Sequence, residues 1–143
     1  GKVDAIVDVV VYADDTAEVR NHQAFETILA SRKAQAVGKQ KIDDLMADAL
    51  ASAPEGQRAA VVLGELKTLY KNVVNAKDVP WKGRGAYAGE ISSAIQDMTN
   101  ISQSAQKTGN VAQEASSLRY LVDRNSREIE LLTRHVDVKE VRQ

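Results

Sequence analysis

Residues 111–136 read VAQEASSLRYLVDRNSREIELLTRHV, and the spacing of their apolar residues decides the fold class. Along this stretch the seam positions recur at alternating steps of four and three residues. Such heptad spacing is typical of a helix that packs lengthwise against another helix, so we predict a helix over about 110–138. The seam positions are Val111, Ala115, Leu118, Val122, Asn125, Ile129, Leu132 and Val136.

The segment before this seam has helical spacing in a different register. Ile91, Met98 and Ala105 are representative of its apolar stripe, which predicts a helix over about 86–107. Where the two stripes meet, one spacing between apolar residues is one residue shorter than a continuous heptad pattern requires. Either the two runs form one locally overwound helix, or the chain turns over at Gly109 into a hairpin. Glycine after polar residues is a common helix end, which favours the turn.

The first half of the chain predicts two more helices. Asp15 and Glu18 have capping-box spacing, so a helix is expected over about 15–52. Gly38 weakens its middle by about 1 kcal/mol relative to alanine, and a kink or fraying is expected there. Pro54 fits the first turn of another helix, over about 54–78, which must end before Pro80. A loop over about 78–86 follows.

These helices predict a mainly all-α fold, in which long antiparallel helices form a helical bundle or a coiled-coil-like hairpin. One helical domain is expected over about 14–143. Apolar residues make up 43% of the chain and aromatic residues only 4%. The core must therefore consist mainly of Ala, Val, Leu and Ile.

An extended or β-strand N-terminal arm is expected over about 1–13, because residues 2–12 read KVDAIVDVVVY and are rich in β-branched side chains. A single strand leaves its backbone groups unpaired. We therefore expect it to pair with another chain, a symmetry mate or a part of the protein outside this sequence, or otherwise to be an extended or helical arm.

Composition argues against several classes of function. The formal net charge is −1 with both signs mixed along the chain, so no nucleic acid is expected as a partner. There is no cysteine, and His22 and His135 lack metal-ligand spacing. We expect no catalytic residues, metal or cofactor, and no transmembrane segment. The chain begins with glycine, which indicates a processed form, an excised domain or a fragment.

Residues 12–15 read YADD and resemble the Tyr-x-Asp-Asp motif of reverse transcriptases, whose carboxylates hold two Mg²⁺ ions. A hairpin strand should follow such a motif, whereas here a helix cap is expected. The chain also shows no fingers, thumb or basic template channel. We therefore interpret residues 12–15 as a turn and a helix N-cap.

Several residues are candidates for protein contacts. Trp81, Arg84 and Tyr87 fall within seven residues and belong to the types favoured at interface hot spots, and the alternative is that Trp81 plugs the end of the bundle. Gly83-Arg84-Gly85 is either an anion-binding site, formed by backbone N–H groups and the guanidinium, or a flexible turn. Asn125 either fixes the seam register through a partner or lies exposed at its edge. The full set of candidates is Val9, Val11, Trp81, Arg84, Tyr87, Leu118, Val122, Asn125, Ile129 and Leu132.

The valine-rich N-terminus leading into long polar helices resembles minor pilus subunits of type IV secretion systems and, equally, helical connector or scaffold subunits of tailed phages. Both resemblances concern architecture and transfer no residues.

We predict a non-enzymatic assembly subunit that acts through helix packing and its arm, as a homo-oligomer or with other protein subunits. A virion or secretion-type apparatus is the expected setting, with a virion or extracytoplasmic location favoured over the cytoplasm. The alternative is a helical ligand-binding or enzyme-accessory domain whose chemistry lies on another chain.

Overall fold

Four α-helices dominate the chain, which confirms the predicted helical bundle with an N-terminal arm. The computed structural model describes residues 9–11, 16–19 and 21–140. The helices are α1 (His22–Ser52), α2 (Arg58–Lys71), α3 (Arg84–Thr108) and α4 (Val111–Thr133), and short 3-10 turns occur at Val73–Asn75 and Trp81–Gly83. The strands are β1 (Val9–Val11), β2 (Thr16–Val19) and β3 (Asp137–Glu140).

Helix α1 forms the centre of the bundle and packs against α2, α3 and α4. Its buried side chains meet the apolar stripes of the other three helices in one core. That core is mainly aliphatic, as the composition predicts, and its largest fully buried members are Tyr87, Met46, Leu66, Ile91, Met98, Leu118 and Val62.

The N-terminal strand pairs within this chain, so the expectation that it needs an outside partner was wrong. β1 runs antiparallel to β2, with Val9 opposite Val19 and Val11 opposite Ala17. β2 in turn runs parallel to β3, with Thr16 opposite Asp137. The remainder of the predicted arm, 1–8 and 12–13, lies outside the described residues.

This sheet also corrects two helix boundaries, because residues 16–19 and 137–140 are strands rather than helix ends. Ala17 and Val19 alternate with less buried neighbours, which is the period of a strand. Val136 continues the seam spacing beyond the end of α4, but it packs with Ala17, Val19 and Phe25 in a small separate cluster. Tertiary pairing thus overrides the helical spacing at both ends.

The start of α1 is fixed by Asn21, not by the predicted capping box at Asp15 and Glu18. The Asn21 Oδ1 atom accepts hydrogen bonds from the backbone N–H groups of Gln23 (3.0 Å) and Ala24 (3.2 Å). Glu18 belongs to β2, and Asp15 lies outside the described residues. Asparagine is among the best N-caps, so the helix begins where this side chain is available.

Helix α2 is shorter than predicted: it begins at Arg58 and ends at Lys71 rather than spanning 54–78. Two carbonyls beyond its end, those of Val74 and Ala76, accept hydrogen bonds from the Arg84 guanidinium instead of from a continuing helix. The predicted loop contains the 3-10 turn at Trp81–Gly83, and α3 already begins at Arg84.

The turn favoured at Gly109 is confirmed. Gly109 has a φ of 66°, in the left-handed region, and its N–H donates to the Ala105 carbonyl at 2.8 Å. Asn110 then caps α4 by accepting from the Gln113 N–H at 3.0 Å. Gly38, in contrast, does not interrupt α1. A Cβ atom there would lie 3.2 Å from the Glu90 Cβ atom, so the glycine lets α3 approach α1 closely.

Candidate functional site

A large open groove lies between the first half of α1 and the last turns of α4, and we call it the α1–α4 groove. Its volume is about 770 Å³, within the range of roughly 300–1,000 Å³ that is common for ligand sites. The apolar lining residues are Phe25, Leu29, Ala36, Val37, Ile129, Leu132 and Val136.

All ionisable side chains that line the groove are basic: Arg32, Lys33, Arg134 and His135. No carboxylate is present among the described residues of the lining, although the whole chain carries a net charge of −1. The Arg32 guanidinium donates to the Leu131 carbonyl at 2.9 Å and so bridges α1 and α4. The groove thus combines an apolar floor with a positively charged rim.

The predicted seam of α4 is covered over only part of its length. Leu118 is 0% exposed in the bundle core, whereas Val122, Ile129 and Leu132 are half-buried. Ile129 and Leu132 line the α1–α4 groove. The seam therefore supplies both the internal packing of α4 and an open apolar surface.

Asn125 of α4 is buried within this chain, so it does not lie exposed at the edge of the seam. It lies near the buried Asp43 of α1, whose Oδ2 atom accepts a hydrogen bond from the neighbouring Ser126 Oγ atom at 2.9 Å, while the Asp43 Oδ1 atom has no hydrogen-bond partner among the described residues. Burial raises the pKa of Asp43, while the hydrogen bond from Ser126 and the nearby polar side chain of Asn125 oppose this shift only in part. This polar contact fixes how α1 and α4 align.

A cluster of charges joins three helices beside this contact. The Lys39 Nζ atom of α1 lies 2.9 Å from the Glu90 carboxylate of α3 and 2.5 Å from the Glu128 carboxylate of α4. Burial alone would lower the pKa of Lys39, but its hydrogen bonds to Glu128 and Glu90 outweigh burial and raise the pKa. These ion pairs hold Lys39 between the three helices.

Trp81 does not plug the bundle, because 76% of its surface is exposed. The Arg84 guanidinium lies 5.1 Å from the centre of its ring. Arg84 is itself held by hydrogen bonds to the carbonyls of Val74 (2.6 Å) and Ala76 (3.3 Å). The buried residue of this turn is Gly83. The Arg84 side chain donates its hydrogen bonds to backbone carbonyls rather than to an anion.

Tyr87 lies in the core, with only 1% of its surface exposed. The Lys41 Nζ atom lies 3.2 Å from its hydroxyl oxygen and 2.9 Å from the Asp78 carboxylate. The hydrogen bond from Lys41 lowers the pKa of Asp78, so Asp78 stays ionised. Within this chain Tyr87 joins α3 to α1.

The remaining candidates lie at the N-terminus. Val9 and Val11 belong to β1, where the structure describes their backbone pairing. The YADD motif, residues 12–15, lies outside the described residues. The described part of the chain contains no group of three or more metal-ligating side chains, and none of its helices has the length and apolarity to cross a membrane.

Sequence reasoning missed the α1 wall of the groove. Neither Arg32 nor Lys33 was among the predicted contact residues. A signal was present in the basic pairs Arg32-Lys33 and Arg134-His135, which flank apolar residues on two distant helices. Only the packing of α1 against α4 brings the pairs together. Comparison of the chain with protein-family models, with curated proteins and with solved structures finds no match.

Proposed function

We propose that this chain is a non-enzymatic assembly subunit that binds other protein subunits, and that Trp81 is a principal contact. The observation that carries the proposal is the 76% exposure of a tryptophan whose ring is stacked on a fixed arginine. Interface hot spots favour tryptophan and arginine, and a side chain already held in place loses little entropy on binding.

The surroundings of Trp81 support a protein contact. Val74, whose carbonyl binds Arg84, is 70% exposed, and Tyr70 in the last turns of α2 is 50% exposed. Exposed apolar side chains near one another are typical of interaction surfaces. Because Arg84 connects Val74 to Trp81, these two side chains belong to the same end of the bundle.

The small sheet offers a second type of contact. In the strand order β1-β2-β3, the central strand β2 is paired on both sides, so β1 and β3 each have an outer edge within the described sheet. An outer strand can accept an additional strand from a partner. We propose β1 as the assembly element of the N-terminal arm, working through its outer edge. The resemblance to pilus and phage subunits supports a virion or an extracytoplasmic secretion apparatus as the setting.

The test compares two exposed aromatic residues in the full chain. Trp81→Ala should leave the thermal midpoint of the isolated chain nearly unchanged but weaken assembly by about 2 kcal/mol or more. Tyr120→Ala, which removes an aromatic side chain that is 62% exposed on α4, is the matched control. Assembly is measured by sedimentation of the chain alone and with subunits recovered from its source. A compact monomer at high concentration that recovers no partner contradicts the proposal.

One observation favours a second candidate function, a helical ligand-binding domain. The α1–α4 groove has the volume and apolar lining of a small-molecule site, and its position between the helices of a bundle is a common one for such sites.

A further inference from the structure

We propose that the α1–α4 groove binds a long-chain fatty acid, with the acyl chain on the apolar floor and the carboxylate at the basic rim. This site is separate from Trp81, and the inference holds whether or not the chain assembles.

The floor suits an unbranched hydrocarbon chain. Phe25, Leu29 and Val37 of α1 oppose Ile129 and Leu132 of α4, so both walls are apolar. Leu29 is 39% exposed, and this apolar surface is open to water when the groove is empty. Burial of each methylene of a ligand chain should tighten binding about fourfold. A chain-length dependence is therefore a direct consequence of this floor.

The rim suits a single negative charge. The hydrogen bond from Arg32 to the Leu131 carbonyl places its guanidinium beside the end of α4, three residues before Arg134. A guanidinium has five N–H donors, so Arg32 keeps donors for a ligand carboxylate. Lys33 adjoins it on α1, is exposed, and makes no ion pair with the described residues. Arg32 and Lys33 of α1 thus lie at the same rim as Arg134, which also lies 3.7 Å from the exposed Glu130 carboxylate, and none of the described residues that line the groove is acidic.

One end of the groove is bounded, which favours a small amphiphile over a partner helix. Phe25 and Val136 line the groove and also pack with Ala17 and Val19 of β2 in the cluster at the sheet. A helix lying along the groove would have to pass this cluster. A single acyl chain can end against it instead.

The experiment uses the delipidated full chain near pH 8, where a fatty acid bound at a basic rim is ionised. Dodecanoate, tetradecanoate, dodecanol and dodecyltrimethylammonium are titrated below their aggregation concentrations and followed by calorimetry. We expect saturable binding of the carboxylates, tighter by about fourfold per methylene. The trimethylammonium compound has the same chain length as dodecanoate but the opposite charge, and its affinity should be lower by a factor of about ten or more.

Two substitutions locate the site. Leu29→Asp places a carboxylate in the groove and should abolish dodecanoate binding, whereas Val61→Asp is its matched control, because Val61 is 40% exposed on α2 outside the groove. Lys33→Glu should weaken binding about tenfold, and Lys67→Glu on α2 should not. Circular dichroism checks that each variant is folded.

The alternative outcomes are distinct. Equal binding of the anionic, neutral and cationic amphiphiles would show detergent-like adsorption only and overturn the proposal. Binding that survives both Leu29→Asp and Lys33→Glu would place the ligand elsewhere and overturn it as well. No saturable binding of either carboxylate would show that the groove is not a fatty-acid site.

Discussion

The Glu114 carboxylate in the first turn of α4 accepts the backbone N–H of Arg58 at 3.3 Å and so caps the N-terminus of another helix, α2. It also accepts the Gly56 N–H at 3.1 Å. The local N-cap residue of α2, Gln57, makes no side-chain cap. Glu114 is only 3% exposed, so its negative charge acts on the positive end of α2 from a buried position.

Substitution of this cap should destabilise the whole bundle. Glu114→Gln keeps an acceptor oxygen but loses the charge, and we expect a loss of about 1 kcal/mol in the free energy of unfolding. Glu114→Ala also leaves the two N–H groups without their acceptor and should cost about 2 kcal/mol or more. Urea unfolding measures both. Glu65→Gln, at an exposed position of α2, is the control and should change little. Equal stability of Glu114→Ala and the parent would show that the cap is unimportant.

The seam is tested by truncating its most buried residue. Leu118 is 0% exposed, so Leu118→Ala leaves a cavity and should cost about 2–5 kcal/mol. Trp81→Ala removes a larger side chain from an exposed position, and the thermal midpoint of the isolated chain should hardly move. Thermal melts of the two variants, compared side by side, separate core packing from surface contact. A Leu118→Ala midpoint equal to that of the parent would mean that the seam is not a packing surface.

The buried carboxylate of Asp43 should make stability depend on pH. Its pKa is raised by burial, with the nearby charges of Asp44 and Asp123 adding to the shift. Between the pKa of Asp43 in the unfolded state and its higher pKa in the folded state, the folded state binds more protons than the unfolded state. The free energy of unfolding therefore falls as pH rises through that interval. At neutral pH the ionised Asp43 carboxylate lowers the free energy of unfolding. Asp43→Asn should thus raise stability near pH 7 and lose this advantage in acid.

Urea unfolding of Asp43→Asn and the parent across acidic and neutral pH measures this effect. Asp48→Asn, at an exposed position of the same helix, is the control and should follow the parent. The assigned sign would be wrong if the difference between Asp43→Asn and the parent grew as the pH was lowered.

Gly83 should not tolerate a side chain. A Cβ atom there would lie 2.5 Å from the Ala34 Cβ atom and 2.6 Å from the Ala30 carbonyl oxygen of α1. Gly83→Ala must push the 3-10 turn away from α1, and we expect a loss of about 1–3 kcal/mol. Gly89 lies in α3 with nothing within 4 Å of its added Cβ. Gly89→Ala should therefore stabilise by about 0.5–1 kcal/mol. Chemical denaturation of both variants should give opposite signs.

The sequence by itself determined the elements whose cause is local. The four-three spacing from Val111 to Leu132 depends only on residues within a few turns, and it correctly predicted α4. Gly109 likewise ends α3 because the residue after the helix must adopt a positive φ. Glycine does so without strain, since it has no Cβ atom. The composition correctly indicated a mainly aliphatic core, and the helical spacing predicted the all-α fold.

Tertiary structure decided what depends on distant segments. Residues 16–19 have helix-cap spacing but form a strand, because 137–140 supplies hydrogen-bond partners from the other end of the chain. Ser126 has a hydrogen-bond partner because the packing of α1 against α4 brings Asp43 to it, and the start of α2 depends on Glu114 in another helix. The basic rim of the groove arises in the same way, from Arg32 on α1 and Arg134 after α4. A local pattern fixes the period of a helix, but a cap, a strand pair or a binding groove requires atoms that only the folded chain places within reach of one another.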